Sequence, residues 1–338
     1  MTASHGYIGP IRPSMPPKPA VETRSSFTRR SIICNQEVQM PELFSINSTD
    51  FNGVPALQVR RRECTALVSL LGGQVMSFQP TGERPVLWHN PDLTWVPGQS
   101  LRQGVPVCWP WFGDLQKNPP AVQDTVARLF KEQPASAHGL ARSALWTLQS
   151  SDENEAFTEI CLTLELASAQ VTLSARYRFG SDLSCELITQ NNGKEPLILS
   201  MALHSYFQVS DIEAVSVEGL DGCNYIDALR DWTQHKQTGS LHFAAETDRI
   251  YQDIPAEISL TDSTWGRRIV LQAPDSRSAV LWNPWIDKSQ RLSQFGAESY
   301  RSMVCIETAR VMDDVFTVPP GGRSSLSLTI SSDSSYDS

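Results

Sequence analysis

The stretch QVTLSARYRF, residues 170–179, shows most clearly which fold class this chain adopts. Its apolar residues occupy every second position from Val171 to Phe179, and polar residues lie between them. Successive side chains of a β-strand point to opposite faces, so such a stretch can cover a core with one face and meet water with the other. The stretch therefore predicts a half-buried strand.

The same alternation continues on both sides of this stretch. It recurs at Leu162, Leu164 and Leu166, at Leu183, Cys185 and Leu187, and at Leu326, Leu328 and Ile330. Turn-forming residues separate these runs, as in Gly72-Gly73, Asn191-Asn192-Gly193 and Pro319-Pro320-Gly321-Gly322. Long helical patterns are hard to find. The chain is therefore predicted to be all-β, with one large antiparallel β-sandwich.

The N-terminal segment differs from the rest of the chain. Residues 1–39 are rich in proline, serine and arginine and lack any periodicity, so we expect a disordered leader or a tag-like segment there. Serine and arginine are typical of a transit peptide, but the prolines argue against its amphipathic helix. We expect a single domain over residues 40–332, opened by Met40, and a flexible tail over residues 333–338.

Charge and cysteine content limit the class of protein. The formal net charge is −9, and residues 1–39 contribute +3 to it, which leaves −12 on the predicted domain. Such an acidic body repels nucleic-acid phosphates, so no nucleic-acid partner is expected. No run approaches the roughly 18 apolar residues of a membrane span. Seven cysteines without a C-x-x-C motif favour free thiols, no zinc site and a reducing cytoplasm.

Common catalytic and cofactor motifs are missing from the chain. There is no glycine-rich phosphate loop, no dinucleotide fingerprint, no G-x-S-x-G elbow and no H-E-x-x-H zinc motif. Nucleotide, metal and serine-nucleophile chemistry thus have no support in the sequence. We expect no cofactor and no metal, and acid–base work by histidine and carboxylate groups remains.

Two titratable residues lie in apolar strand-like runs. His204 falls within LILSMALHSYFQV and is either a hydrogen-bonded core histidine or a proton donor exposed in a cleft. Glu307 falls within MVCIETA, which is apolar on both faces. A carboxylate is rarely buried without a partner, so Glu307 is a candidate general base with a pKa raised by burial.

Two further segments have the composition of binding loops. In LRQGVPVCWPWFGD, Trp109, Trp111 and Phe112 offer flat apolar faces beside Arg102, a combination that suits the apolar faces and polar rims of sugars. In SAHGLARSALW, His138 and Arg142 are four residues apart. The two arginines could hold a phosphate through charge-assisted hydrogen bonds, although each could equally be solvated or structural. Asp248 and Arg249 could form a plain surface ion pair.

Taken together, these segments resemble the aldose 1-epimerase (galactose mutarotase-like) superfamily, and specifically its hexose-6-phosphate mutarotase branch. The matching stretches are LGGQVMSFQP, RQGVPVCWPWFGD, AHGLARSALWTL, ALHSYFQVSDI, TDRIY, LWNPW and VCIETA. They follow one another from about residue 70 to residue 309 and so cover nearly all of the predicted domain. The resemblance implies a large antiparallel β-sandwich, in agreement with the alternation.

The resemblance also implies roles for particular residues. The family's catalytic histidine and glutamate correspond to His204 and Glu307, which should face each other across a small hollow at the width of a pyranose ring. Its substrate-binding residues correspond to Arg102, His138, Arg142 and Asp248. One departure is Gln103, which stands where the family usually has a glycine.

The function that follows is interconversion of the α and β anomers of a hexose 6-phosphate by a monomeric enzyme. Glu307 would take the proton of the O1 hydroxyl while His204 protonates the ring oxygen O5. Two other classes stay open. A non-catalytic carbohydrate-binding sandwich would need the aromatic loops alone, and a glycoside hydrolase or lyase would use Asp248 and Glu307 as its carboxylate pair.

Overall fold

The computed structural model describes residues 44–90, 101–130 and 136–334. The leader predicted at residues 1–39 lies outside these residues, and the predicted domain limits stay a prediction. The described residues form the strands β1 (Phe44–Phe51), β2 (Val54–Arg61), β3 (Cys64–Ser69), β4 (Val75–Pro80), β5 (Val107–Cys108), β6 (Thr147–Glu153), β7 (Thr158–Leu166), β8 (Val171–Phe179), β9 (Leu183–Asn191), β10 (Leu197–Leu199), β11 (Met201–Leu203), β12 (Tyr206–Gln208), β13 (Val215–Glu218), β14 (Asn224–Asp227), β15 (Thr233–Lys236), β16 (Leu241–His242), β17 (Thr247–Gln252), β18 (Glu257–Asp262), β19 (Arg267–Gln272), β20 (Ser278–Asn283), β21 (Met303–Arg310), β22 (Phe316–Val318) and β23 (Arg323–Asp333). They also form the helices α1 (Pro120–Leu129) and α2 (Trp285–Ser289).

Two large sheets make up the sandwich. One has nine strands in the order β16-β13-β18-β19-β23-β9-β8-β7-β6, and the other has eight, along β15-β14-β17-β20-β21-β11-β5 with β12 also paired to β21. A four-stranded sheet of β1 to β4 and the pair β10-β22 complete the described strands. The neighbouring strands in these described sheets run antiparallel, which confirms the predicted fold class.

The nine-stranded sheet shows the alternation that the sequence predicts. From Val171 to Phe179, every second side chain of β8 is buried and the intervening ones are half-buried or exposed. The buried set joins one hydrophobic core with Leu203, Leu281 and Ile306 of the eight-stranded sheet. The inner faces of the two sheets therefore share one core, and burial of this apolar area is the main stabilising contribution to the fold.

The other face of the eight-stranded sheet is also covered. A second, smaller apolar cluster lies there and includes Ala202, Val280 and Ala309, with Trp232 packed at its margin. A sheet buried on both faces explains why MVCIETA is apolar apart from Glu307 and Thr308, since all seven of its residues are buried. This face forms the floor of the candidate site.

The long segment between the two arginine loops forms a packed helix. Pro120 occupies the first helical position of α1, where the missing N–H of proline costs nothing, and Val122 and Val126 are buried. None of the helices in the described ranges is long and apolar enough to cross a membrane.

Candidate active site

The register of three strands places His204 opposite Glu307. Leu203 of β11 pairs with Thr308 of β21, and β12 resumes the same register after a two-residue break. Continued across that break, the register brings His204 and Glu307 together. Side chains directly opposite each other on antiparallel strands have Cβ atoms about 4.5–5.5 Å apart.

The two side chains contact each other, and both line a pocket. His204 Nε2 lies 3.5 Å from Glu307 Oε1, which is closer than the pyranose-ring width expected from the resemblance. That expectation was wrong because it ignored the register of adjacent strands. The short distance still suits one sugar, since O1 and O5 of a pyranose are bonded to the same carbon, C1.

Each member of this pair has an unsatisfied polar atom. Glu307 is 1% exposed and His204 is 7% exposed. Glu307 Oε2 and His204 Nδ1 are buried and make no hydrogen bond within the described residues. Buried polar atoms almost always have partners, so this pair has the hydrogen-bonding capacity of a site that a ligand completes.

Aromatic contacts fix the orientation of the His204 ring. The ring of Tyr206 stacks on it with centroids 4.9 Å apart and an interplanar angle of 9°. The edge of Trp282 approaches it at 6.2 Å and 78°. The face of an aromatic ring attracts a cation, so the Tyr206 stack favours the imidazolium form of His204.

Burial shifts the pKa values of both groups toward their neutral forms. Burial raises the pKa of Glu307 well above its ordinary value; the Asp248 carboxylate adds to this rise and the Arg142 guanidinium opposes it. Burial also lowers the pKa of His204, with smaller contributions from His138 and the arginines. These shifts favour a pair that holds one proton, on Glu307, before a sugar binds.

Arg142 is a buried cation, and no carboxylate among the described residues forms an ion pair with it. It lies in the 3₁₀ helix Ala141–Ser143 and is 7% exposed. Its Nε makes no hydrogen bond to any part of the chain that the structure describes. A buried charge is costly unless it is paired, so an anion is the natural ligand for this side chain. Arg102 lines the pocket, and its charge adds to that of Arg142 in lowering the pKa values of His138 and His204, which burial lowers most.

Five of the six predicted site residues line one pocket. They are Arg102, His138, His204, Asp248 and Glu307, and the pocket measures about 260 Å³. Arg142 does not line it but is close enough to act on the pKa values of His138, His204 and Glu307. A pocket near or below the lower end of the usual range of about 300–1,000 Å³ suits one monosaccharide better than an oligosaccharide.

Asp248 faces this pocket, and its neighbour points the other way. In β17, Arg249 approaches Gln237 and the ring of Tyr225 on the opposite face. The surface ion pair of Asp248 with Arg249 is therefore wrong, because adjacent residues of a strand alternate between faces. Burial raises the pKa of Asp248, and Lys288 opposes this from 3.7 Å away.

Of the three aromatic residues predicted to bind sugar, one lines the pocket. Trp109 and Trp111 are 0% and 2% exposed and pack in the core, so their prediction as sugar-binding faces was wrong. Phe112 lines the pocket. Apolar aromatic rings suit a core as well as a sugar site, and the sequence could not distinguish the two.

Sequence reasoning missed several of the residues that line the pocket, among them Trp232 and Lys288. Trp232 lines the pocket from the turn between β14 and β15, where Lys117 Nζ lies 5.1 Å from its ring centroid. Lys288 lines it from α2, with its Nζ 2.9 Å from Glu246 Oε1. A lysine on a short helix resembles any solvated lysine, so the sequence carried no signal for it.

The departure at Gln103 leaves the arginine loop well packed. Gln103 is fully buried, and its side-chain oxygen accepts a hydrogen bond from the Asn90 N–H at 3.0 Å. The next residue, Gly104, has a φ of 62°, and a Cβ there would lie 2.0 Å from the Val75 carbonyl oxygen. The backbone requirement thus falls on Gly104, and glutamine is accommodated at the preceding position.

The loop that carries His138 depends on a glycine. Gly139 has a φ of 75°, and a Cβ there would lie 2.1 Å from the Trp109 carbonyl oxygen. Gly82 has a φ of 82°, but open space surrounds its missing Cβ. Alanine substitutions at Gly82 and Gly139 therefore separate two costs. Both positions have the strain of a left-handed backbone, but only Gly139 has steric overlap as well.

We expect Gly82→Ala to lower the free energy of unfolding by about 1–2 kcal/mol through the left-handed backbone alone. Gly139→Ala should cost about 1–3 kcal/mol more, because overlap adds to that strain. Urea denaturation of both variants measures the difference. Equal losses would contradict the close approach at Gly139.

Comparisons with known proteins agree on one family. The family model described as aldose 1-epimerase matches residues 55–331 of the chain. A provisionally named glucose-6-phosphate 1-epimerase from Escherichia coli strain K12 is 34% identical over 255 residues, which cover 72% of this chain and 79% of the relative. A relative of the same provisional name from Cenchrus ciliaris is 28% identical over 316 residues, which cover 87% of this chain and 91% of the relative.

A solved structure is similar over most of its length. The crystal structure of YeaD from Salmonella typhimurium, a provisionally assigned mutarotase, matches with a TM-score of 0.75 and 27% sequence identity. The match covers 85% of this chain and 93% of that one.

Proposed function

The chain belongs to the aldose 1-epimerase family and is therefore an isomerase, and we propose that it interconverts the α and β anomers of glucose 6-phosphate. The observation that carries this proposal is the contact of His204 Nε2 with Glu307 Oε1 at 3.5 Å inside a pocket of monosaccharide size. The names of the relatives from Escherichia coli and Cenchrus ciliaris support the phosphorylated substrate.

In the proposed mechanism, Glu307 and His204 open the sugar ring together. The Glu307 carboxylate takes the proton of the O1 hydroxyl, the His204 imidazolium gives a proton to O5, and the C1–O5 bond breaks. Rotation about C1–C2 then presents the other face of the aldehyde. Closure reverses both proton transfers and yields the second anomer. Each positioned acid or base typically contributes about 10²–10⁴-fold.

The pair carries one proton throughout this cycle. In the ring form of the complex the proton is on His204, and in the open-chain form it is on Glu307. Burial favours the proton on Glu307, whereas the stack of Tyr206 on His204 favours the proton on His204. We expect these opposing influences to reduce the difference in free energy between the two proton distributions, which favours a reaction that must run in both directions.

Arg142 and Arg102 are proposed to bind the phosphate group. A phosphate would pair with the guanidinium group of Arg142, whose Nε makes no hydrogen bond in the described part of the chain. Guanidinium groups bind phosphate oxygens through short, charge-assisted hydrogen bonds. Asp248, which faces the same pocket, would accept hydrogen bonds from sugar hydroxyls.

We expect Arg142→Met to raise KM for glucose 6-phosphate about 10- to 100-fold, the size of a lost charge-assisted hydrogen bond. KM for free glucose should change much less. Arg176→Met, which removes a half-buried arginine on the outer face of the nine-stranded sheet, is the matched control and should leave both values unchanged. An equal rise of KM for both sugars would remove the phosphate-binding role.

The proposal as a whole is tested by NMR exchange spectroscopy on equilibrated anomers. Added enzyme should accelerate exchange between α- and β-glucose 6-phosphate, with a higher kcat/KM than for glucose. A protein that accelerates neither exchange would contradict the proposal. Release of new reducing ends from oligosaccharides would instead support a glycoside hydrolase.

We further propose that the enzyme acts as a monomer in the cytoplasm without a cofactor. The six cysteines in the described ranges are free thiols, as a reducing compartment favours. Anomer exchange neither oxidises nor reduces the sugar, so its electron balance requires no redox partner.

A further inference from the structure

His138 makes two hydrogen bonds with one residue, Gly113. The His138 backbone N–H donates to the Gly113 carbonyl oxygen at 2.9 Å. The Gly113 backbone N–H donates to His138 Nδ1 at 3.4 Å. This reciprocal pair joins the loop after β5 to the loop that carries His138 and fixes the position of the imidazole.

A second donor lies against the same ring nitrogen. Cys108 Sγ is 3.4 Å from His138 Nδ1, and Cys108 is fully buried in β5. Burial raises the pKa of the Cys108 thiol, so the sulfur keeps its proton and can donate it. Two donors therefore converge on His138 Nδ1.

A backbone N–H can only donate, so a proton on His138 Nδ1 would point at the hydrogen of Gly113. From this contact we infer that Cys108 and Gly113 hold His138 as a neutral imidazole with its proton on Nε2, a hydrogen-bond donor to the bound sugar. Cys108 is thus a positioning residue that acts through His138. The role of the donor rests on the proposed function, whereas the position of the proton does not.

This arrangement distinguishes two histidines that lie side by side. The ring centroids of His138 and His204 are 5.5 Å apart. His138 has donors on Nδ1, and burial lowers its pKa, with smaller contributions from Arg142 and Arg102. His204 instead has the titratable carboxyl group of Glu307 near its Nε2. His204 can therefore exchange a proton during the reaction, while His138 keeps one tautomer.

The proton position can be measured by NMR of enzyme with ¹⁵N-labelled histidine, without substrate. The His138 signals are assigned by their loss in His138→Asn, because asparagine tolerates the positive φ of 66° at this position. We expect only the Nε2-protonated tautomer, with His138 neutral between about pH 6.5, the ordinary pKa of histidine, and pH 8. The Nδ1-protonated tautomer, a mixture of both, or uptake of a proton in that range would overturn the inference.

The role of Cys108 is tested by Cys108→Ala, with Cys185→Ala as the matched control. Cys185 is an equally buried thiol in β9 of the nine-stranded sheet. In Cys108→Ala we expect the Nδ1-protonated tautomer of His138 to become detectable and kcat/KM to fall about 3- to 10-fold, the size of one neutral hydrogen bond. Cys108→Ser, which keeps a donor, should restore most of both.

Two outcomes of this series decide the matter against Cys108. A Cys108→Ala enzyme with the tautomer and kcat/KM of Cys185→Ala would remove its positioning role. A fall in kcat/KM with an unchanged tautomer would make the effect one of packing. Because the tautomer is read without substrate, failure on glucose 6-phosphate alone would refute the proposed function and leave this inference standing.

Discussion

Glu307→Gln is expected to reduce the enzymatic rate of anomer exchange by about 10²–10⁴-fold, the usual contribution of a general base. The amide has nearly the shape of the carboxyl group but cannot take the O1 proton. The loss should fall on kcat, since the other pocket residues still bind the sugar. Exchange spectroscopy at saturating glucose 6-phosphate measures it.

The same substitution should not weaken the fold. Burial raises the pKa of Glu307 in the folded protein above its unfolded value, so the folded state binds this proton more tightly. That contribution to stability is fully present below the unfolded pKa of about 4.3 and is lost as the pH rises toward the folded value. An amide does not ionise, so Glu307→Gln should unfold at a temperature at least as high as the wild type near neutral pH.

Glu186→Gln is the matched control for this prediction. Glu186 lies in β9 and bonds Arg176 at 2.8 Å, on the nine-stranded sheet. It should leave the exchange rate unchanged. If Glu307→Gln were to keep a rate within about tenfold of the wild type, Glu307 would not be the general base.

His204→Gln should cause a loss of similar size, about 10²–10⁴-fold in kcat, for the opposite reason. The amide can donate a hydrogen bond near O5, but it cannot give up a proton there. Ring opening then produces an alkoxide without assistance from an acid. The variant keeps a polar group of similar length beside Tyr206, so KM should change little.

His235→Gln tests whether the effect is specific to the pocket. His235 lies in β15 and stacks on Tyr225 with centroids 5.5 Å apart. Its substitution should leave kcat unaffected. Equal losses in the two variants, or none in His204→Gln, would take the proton donor away from His204.

The sequence predicted those strands of the sandwich that have one buried and one solvent-facing side. β8 and β9 could be recognised because buried residues alternate with half-buried or exposed ones along the whole strand. α1 was not predicted, because its short apolar face lies within a segment rich in proline and polar residues. The alternation also said nothing about which strands become neighbours, since pairing across long separations leaves no trace in a single strand.

The candidate site was predicted residue by residue but not as an arrangement. His204 and Glu307 were each unusual as titratable residues in apolar runs, and both contribute to the pocket. Their 3.5 Å contact depends on the register of β21 with β11 and β12, which only the backbone hydrogen bonds determine. Lys288 was missed because its proximity to Asp248 comes from tertiary structure alone.

Because the site depends on the register of β21 with β11 and β12, the recovery of enzymatic activity reports how fast these strands pair during folding. A chain that refolds from denaturant has no activity until these strands, about a hundred residues apart in sequence, have met in the correct alignment. A shift of β21 by one residue would point the Glu307 side chain into the core between the sheets, so misaligned molecules would be inactive. The rate at which anomer exchange returns during refolding therefore measures the pairing of strands that are distant in sequence. Far-ultraviolet circular dichroism, which reports secondary structure, does not distinguish this pairing from local structure.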